Sequence, residues 1–255
     1  MSFYCLAKVV KISPKSAYLR MLKGTLYLLP VPLAEDAAEA SYTPFLKEVI
    51  NEIKEYIVEN EKTARKFLKQ AGLTIPQQDL IIHDYGKHIR NKYKVTDFFE
   101  GLLAGRSVGL MSEAGCPGIA DPGADIVAEA HRLGVKVRPL VGPNSMILAL
   151  MASGLNGQSF AFHGYLPIDK QARGKKIKEL ELVAQRNLQT QLFMETPFRN
   201  NQLLEEVLKV CSPKTQLCVA CNITSLDEFI ITDTVAHWRK RKVDLHKKPA
   251  IFLIL

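Results

Sequence analysis

From Gly24 onward the chain alternates short apolar runs with stretches whose apolar positions recur at helical spacing. TLYLLP, EYIVEN, DLIIHD, SVGLM and VKVRPL read as strands. Between them, Thr43 to Lys54 carries Phe45, Leu46, Val49, Ile50 and Ile53 at helical intervals. Lys62 to Ala71 repeats the pattern with Ala64, Phe67, Leu68 and Ala71, and Gly72 follows as a C-terminal stop. A third helix is expected over Thr96 to Leu103. Near-continuous apolar strands alternating with helices predict a mainly parallel sheet covered on both faces.

The pattern changes after Gly154. GLNGQS, Gly154 to Ser159, is small and polar between two apolar runs and reads as a linker. Strand-like SFAFHG, a helix over Lys175 to Ala184, strand-like LQTQLFME and a helix over Phe198 to Val210 come next. TQLCVA, EFIITDT and AIFLIL then follow without long helices, which predicts a mixed sheet with antiparallel pairs. The expected architecture is a two-domain α/β protein: an extension over 1–23, an N-terminal domain over 24–157 and a C-terminal domain over 158–255. Met21 stands just before the first convincing strand, so residues 1–20 are either an appendage or a stretch preceding the natural start.

Composition narrows the classes. At 255 residues, 47% hydrophobic and 24% charged, the chain can bury a substantial core. No apolar run approaches the roughly 20 residues that span a bilayer, and the N-terminus lacks a signal-peptide pattern. Five scattered cysteines fit a reducing, cytoplasmic setting. A formal charge of +8 permits a polyanionic partner, with positive charge concentrated at Lys170 to Lys178 and His237 to Lys248.

Several chemistries lack their pattern. Cys218 and Cys221 form a CxxC inside a strand-like run, where they point to opposite faces; His237 and His246 are too far apart to complete a zinc set. P-loop, GxGxxG, GxSxG and HExxH motifs are absent, and no metal is expected. His83 and Asp84, at a strand end, are a candidate base with an orienting carboxylate. SEAGCPGIADPG, Ser112 to Gly123, leaves the carboxyl end of a strand, where ligands gather in open α/β sheets. Its glycines allow close backbone approach and its prolines hold the loop without using backbone donors.

Read in order, GTLYLLPVPL, ENEKTARKFL, HD, SEAGCPGIADPG, RPLVGPNSMILALMASGL, FHGYLP, METPFR and KPAIFLIL resemble the tetrapyrrole methylase superfamily of S-adenosylmethionine-dependent methyltransferases. The chain is most similar to the bacterial 16S rRNA (cytidine 2′-O)-methyltransferase branch, with its GTLYxVxTPIGN, EDTR, SDAGTPxxxDPG, PGPSA, GFLP and YExPHR. The resemblance covers Gly24 to Leu255. It implies a two-domain homodimer with a ligand cleft between domains, S-adenosylmethionine as methyl donor and rRNA of the small ribosomal subunit as partner. Donor contacts carried over by motif fall on Pro30, Val31, Pro32 and Leu33, on Ser112, Glu113, Ala114, Gly115, Cys116 and Pro117, and on Asn144 and Ser145. Met194, Glu195, Thr196, Pro249 and Ala250 complete them.

The chain departs from the branch where VPLAE replaces TPIGN, Glu59 to Lys62 replaces EDTR, Glu113 and Cys116 replace Asp and Thr, and Phe198 replaces His. VGPNS also stands in place of PGPSA. These changes leave the acceptor open: a ribose hydroxyl, a small heterocycle, a protein, or none if the chain is a non-enzymatic binding module. A weakly nucleophilic hydroxyl needs a base. Glu59 and His83 are preferred, with Lys62 and Glu195 as further candidates.

Overall fold

The five apolar runs of the N-terminal half pair into a single all-parallel sheet. The computed structural model describes residues 23–86 and 95–255; the expectations for residues 1–22 lie outside them. The chain divides into two compact units. The first holds residues up to Leu29, Pro44–Glu113 and Pro117–Val141; the second holds Pro30–Thr43, Ala114–Cys116 and Gly142–Leu255.

In the first unit the strands are β1 (Thr25–Leu29), β2 (Glu55–Val58), β3 (Ile81–Asp84), β4 (Val108–Met111) and β5 (Lys136–Pro139). The helices are α1 (Pro44–Glu52), α2 (Glu61–Gln70), the one-turn α3 (Glu100–Leu103) and α4 (Gly123–Arg132). Leu46, Val49 and Ile50 form the buried face of α1, and Ala64, Phe67 and Leu68 that of α2, at the predicted spacing. The third predicted helix is shorter than expected: Val95–Phe99 is 3-10, and only α3 is α-helical.

The strand order is β3-β2-β4-β1-β5. β1 and β4 are therefore neighbours whose onward connections leave in opposite directions, toward β2 and toward β5. That is the topological switch at which α/β sheets bind ligands, beyond the carboxyl ends.

The second unit contains α5 (Ser145–Ser153), β6 (Phe160–Tyr165), α6 (Lys170–Asn187), β7 (Thr190–Met194), α7 (Asn200–Val210), β8 (Gln216–Cys221), β9 (Phe229–Thr234), the one-turn α8 (Val235–Trp238) and β10 (Ala250–Ile254). Its sheet runs β6-β7-β10-β8-β9; β6 and β7 are parallel and the other pairs antiparallel, the mixed sheet expected. One face packs Leu217, Val219 and Cys221 of β8 with Ile177, Leu203 and Trp238. The other packs Cys218 and Ala220 with Met146, Ala149 and Leu150 of α5. The CxxC cysteines thus sit on opposite faces of a strand, as alternation requires.

α6 begins at Lys170 because Asp169 caps it, its Oδ1 accepting from the Ala172 amide at 2.8 Å. The lysine-rich segment is thus the first half of a helix longer than Lys175 to Ala184. Gly154 to Ser159 joins α5 to β6 within the second unit. Asn156 holds that loop, donating to Leu188 O at 2.6 Å and accepting from the Gln158 amide at 2.9 Å.

Candidate functional site

Two residues past β1, the chain is caught by the SEAGCPG loop. Val31 N donates to Gly115 O at 2.9 Å and Gly115 N donates to Val31 O at 2.8 Å, an isolated antiparallel bridge. Gly115 has φ +76°, and a Cβ there would lie 3.3 Å from Leu33 Cδ2. A Cβ on Gly142 would lie 2.1 Å from Pro30 Cβ, so the third loop approaches the first at a distance only glycine allows. The Cys116 thiol donates to Pro143 O at 3.2 Å. Asn144 then caps α5, its Oδ1 accepting from the Met146 and Ile147 amides, and Ser145 is the first helical residue. Pro30 to Leu33, Ala114 to Cys116, Asn144 and Ser145 are thereby joined in the second unit.

The first loop has another anchor. Asp36, in the 3-10 turn Glu35–Ser41, accepts from the Leu226 amide at 2.9 Å and the Ser225 hydroxyl at 2.7 Å. The amide, then the hydroxyl, hold its carboxyl below the ordinary range. Asp36 carried no role in the sequence reading.

At the strand end of the same unit, Met194 pairs with Ile251, which brings Met194 to Thr196 beside Pro249 and Ala250. Leu33 and Met194 pack against one apolar cluster. Glu195 is inside, its side chain 2% exposed; Oε1 accepts from the Thr196 amide at 2.6 Å and from Arg199 Nη2 at 2.7 Å. Arg199 closes the METPFR motif, but its pairing with Glu195 was not read there, although the i,i+4 spacing could have revealed it. Arg199 Nε and Asn200 Oδ1 are buried without a hydrogen-bond partner among the described residues.

In the first unit, Glu59 follows β2 at its carboxyl end. Its Oε1 accepts from the Glu113 amide at 3.2 Å, and Glu113 Oε1 accepts from the Thr63 hydroxyl at 2.6 Å. Asn60 caps α2 by accepting from the Lys62 and Thr63 amides, so the segment replacing EDTR is a helix start. Lys62 lies exposed in that first turn. Ser112 is buried, as is Pro117, and both belong to this unit with Glu113. Asp121 closes the end of the loop, accepting from the Gly118 amide at 2.9 Å and the Gly123 amide at 2.6 Å.

His83 is not brought to Glu59. Its Nε2 lies 2.9 Å from Oε1 of Glu55, whose Cα pairs with Ile81, two positions toward the amino end. Arg106 holds the other carboxylate oxygen of Glu55 at 3.1 Å. Glu55 and Glu59 are separated by about 13 Å of strand. His83 therefore belongs to a hydrogen-bonded cluster around buried Glu55, whose ion pair is with Arg106.

The loops bring backbone groups together at a spacing that a ligand held through backbone hydrogen bonds requires. Gly115 and Gly142 are places where a side chain would intrude, and Arg199 Nε and Asn200 Oδ1, at and just after the end of the METPFR motif, are buried polar atoms with no hydrogen-bond partner among the described residues. No cluster of three or more His, Cys, Asp or Glu able to hold a metal occurs among the described residues. No helix among them is long and apolar enough to cross a membrane.

The family model described as Tetrapyrrole (Corrin/Porphyrin) Methylases matches residues 32–238. The Ribosomal RNA small subunit methyltransferase I of Vibrio cholerae serotype O1 is 33% identical over 205 residues, 80% of this chain and 67% of that protein. The protein of the same name from Halalkalibacterium halodurans is 28% identical over 221 residues, 86% of this chain and 72% of that protein. Among solved structures, the methyltransferase CobJ superposes with TM-score 0.58 at 19% identity, covering 91% of this chain and 93% of that one. Native uroporphyrin III C-methyl transferase from Thermus thermophilus gives TM-score 0.55 at 15% identity, covering 91% and 97%.

Proposed function

The chain belongs to the tetrapyrrole methylase family of S-adenosylmethionine-dependent methyltransferases, and on that premise we propose that it methylates a ribose 2′-hydroxyl of small-subunit ribosomal RNA. The observation that carries the reading is the Val31–Gly115 bridge, a backbone cradle in a chain aligned over 80% of its length with an rRNA small subunit methyltransferase.

S-adenosylmethionine supplies an electrophilic methyl group on a cationic sulfur, and the protein's part is placement and proton management. Pro30 to Leu33, Ala114 to Cys116 and Asn144–Ser145 hold the donor, with Met194 to Thr196 and Pro249–Ala250 at the sheet end; Ser112, Glu113 and Pro117 complete the assignment. Glu59 would take the hydroxyl proton as the C–O bond forms and the methyl–sulfur bond breaks, the donor leaving as a neutral thioether, and the Glu113 amide fixes Glu59 Oε1. We rank Glu59 ahead of His83 because Glu59 is hydrogen-bonded to the SEAGCPG loop, whereas the Glu55 contact on Nε2 orients the His83 imidazole away from that loop without removing its basicity.

The same reading places the enzyme with ribosomes in the cytoplasm and makes it a homodimer. The exposed Ile147 and Met151 of α5 are the apolar positions we assign to the second copy, and sedimentation of M151D as a monomer would support it.

The deciding experiment incubates the protein and labelled S-adenosylmethionine with small ribosomal subunits from cells lacking the gene. Label mapped to a ribose establishes the reading. Donor binding with label only on a small heterocycle or a protein replaces the acceptor. Failure to bind the donor at millimolar concentration removes the enzyme.

A further inference from the structure

We propose that Phe198, His246 and Lys247 form a landing surface for an unpaired base and its phosphate in a single-stranded RNA segment. The inference rests on the RNA reading above and names the part of the second unit that receives the strand. Phe198 is 64% exposed, and its ring centroid lies 6.0 Å from that of exposed His246, with planes at 75°. An aromatic face bordered by an imidazole and an ammonium is the combination that stacks a base and meets its backbone.

The surface is built rather than loose. Lys247 stands at φ +61°, and its amide donates to Pro197 O at 2.9 Å, which fixes it beside Phe198. Asn201 accepts from the Leu245 amide at 2.7 Å and donates to Asp244 at 2.7 Å; Leu245 itself is fully buried. Asn200 Nδ2 donates to Lys248 O at 2.6 Å. Asp244 is the carboxylate in this loop, and it is engaged by Asn201 and by the His246 amide at 3.0 Å.

The neighbouring basic residues divide by task. Arg239 donates to the carbonyls of Leu208 and Cys211, and Arg241 pairs with Asp233 over Trp238. These arginines brace the fold. Lys240, Lys242 and Lys247 are exposed and have no ion pair among the described residues, which leaves them for phosphates. A protein partner would need a broader apolar centre inside its polar rim than one aromatic among lysines offers. The location is consistent as well: Phe198 follows Thr196 by two residues and Lys247 precedes Pro249 by two, so both arms run into the assigned donor residues.

The test is fluorescence anisotropy of a short, unstructured, fluorescein-labelled oligouridylate at several salt concentrations. Phe198→Ala should weaken binding about 5- to 150-fold, the worth of one stacked base, with the salt dependence unchanged and Phe198→Trp restoring affinity. Lys247→Ala should lower the salt slope by about 0.7. S-adenosylmethionine affinity by calorimetry and the thermal transition should match wild type in each variant. Equal RNA affinity for wild type and Phe198→Ala overturns the surface, as does loss of donor binding in step with RNA binding. Methylation of small subunits with RNA binding insensitive to Phe198 and Lys247 leaves the enzyme reading standing and removes this inference. Stacking without methyl transfer to RNA does the reverse.

Discussion

Val31 and Gly115 exchange amide-to-carbonyl hydrogen bonds in both directions, at 2.9 and 2.8 Å, although 84 positions separate them in the sequence. Gly115 makes this possible because it sits at φ +76°. Gly115→Val forces a branched side chain into that region, at about 1–2 kcal/mol, and against Leu33. Folding stability should fall by about that amount, and donor affinity should fall as the bridge gives way, with little change in circular dichroism. Unchanged affinity by calorimetry would detach the bridge from donor binding. Gly142→Ala should be harsher, because its new methyl meets the ring of Pro30 rather than a flexible chain end.

Glu59→Gln keeps the shape of the side chain and its acceptor oxygen for the Glu113 amide while removing the base. Single-turnover methyl transfer should drop about 10²- to 10⁴-fold, and donor affinity should stay at the wild-type value. Wild-type turnover in this variant would remove Glu59 from the chemistry. His83→Ala should instead lower the urea midpoint, because buried Glu55 loses one of its two partners.

Arg199→Ala leaves the carboxylate of Glu195 with the Thr196 amide as its remaining contact among those described. The expected destabilisation is about 1–3 kcal/mol, below that of a fully buried pair because Arg199 is 31% exposed. The double variant with Glu195→Gln should lose less than the two single losses summed, measured by urea denaturation. Additivity would show that the pair does not act together.

Alkaline pH should weaken the second unit. Burial, with the Glu181 carboxylate adding, pushes the Cys211 thiol from 9.0 up to about 12, and burial pushes Cys221 up to about 11. A raised folded pKa means that the folded state holds the proton more tightly. The stability from both thiols is therefore complete below pH 9 and declines toward pH 11 and 12. Cys211→Ala and Cys221→Ala should each flatten part of the fall in urea midpoint; identical pH profiles in wild type and both variants would contradict this. At neutral pH a maleimide should label partly exposed Cys116 ahead of buried Cys211, Cys218 and Cys221, as mass mapping would record.

The strands were legible because short, near-continuous apolar runs between helical stretches act locally, and the motif order named the family. Pairing partners were not legible: nothing local in SVGLM says that it will lie between β1 and β2. The start of α6 was hidden because KQARGKKIK has few apolar positions to mark a face, and its cap, Asp169, lies outside the periodic stretch. Gly154 to Ser159 read as a boundary from its composition, yet Asn156 ties it within one unit through hydrogen bonds to distant residues. At the site, the glycines and the motif residues were visible. The partner of His83 was not, since Glu55 lies 28 positions away and meets it only through strand register. Asp36 and Asp121 were likewise silent, because what they do depends on which amides the folded loop presents to them.

Asp121 divides the labour within SEAGCPGIADPG. Its carboxylate gathers the amides of Gly118 and Gly123 into a small ring, while Glu113 and Cys116 stand outside that ring. The loop's curvature is thus set at one end and its chemical lettering at the other. Such a segment can be re-lettered for a new acceptor without being rebuilt, and the two altered letters in this chain stand at the end that the ring leaves open.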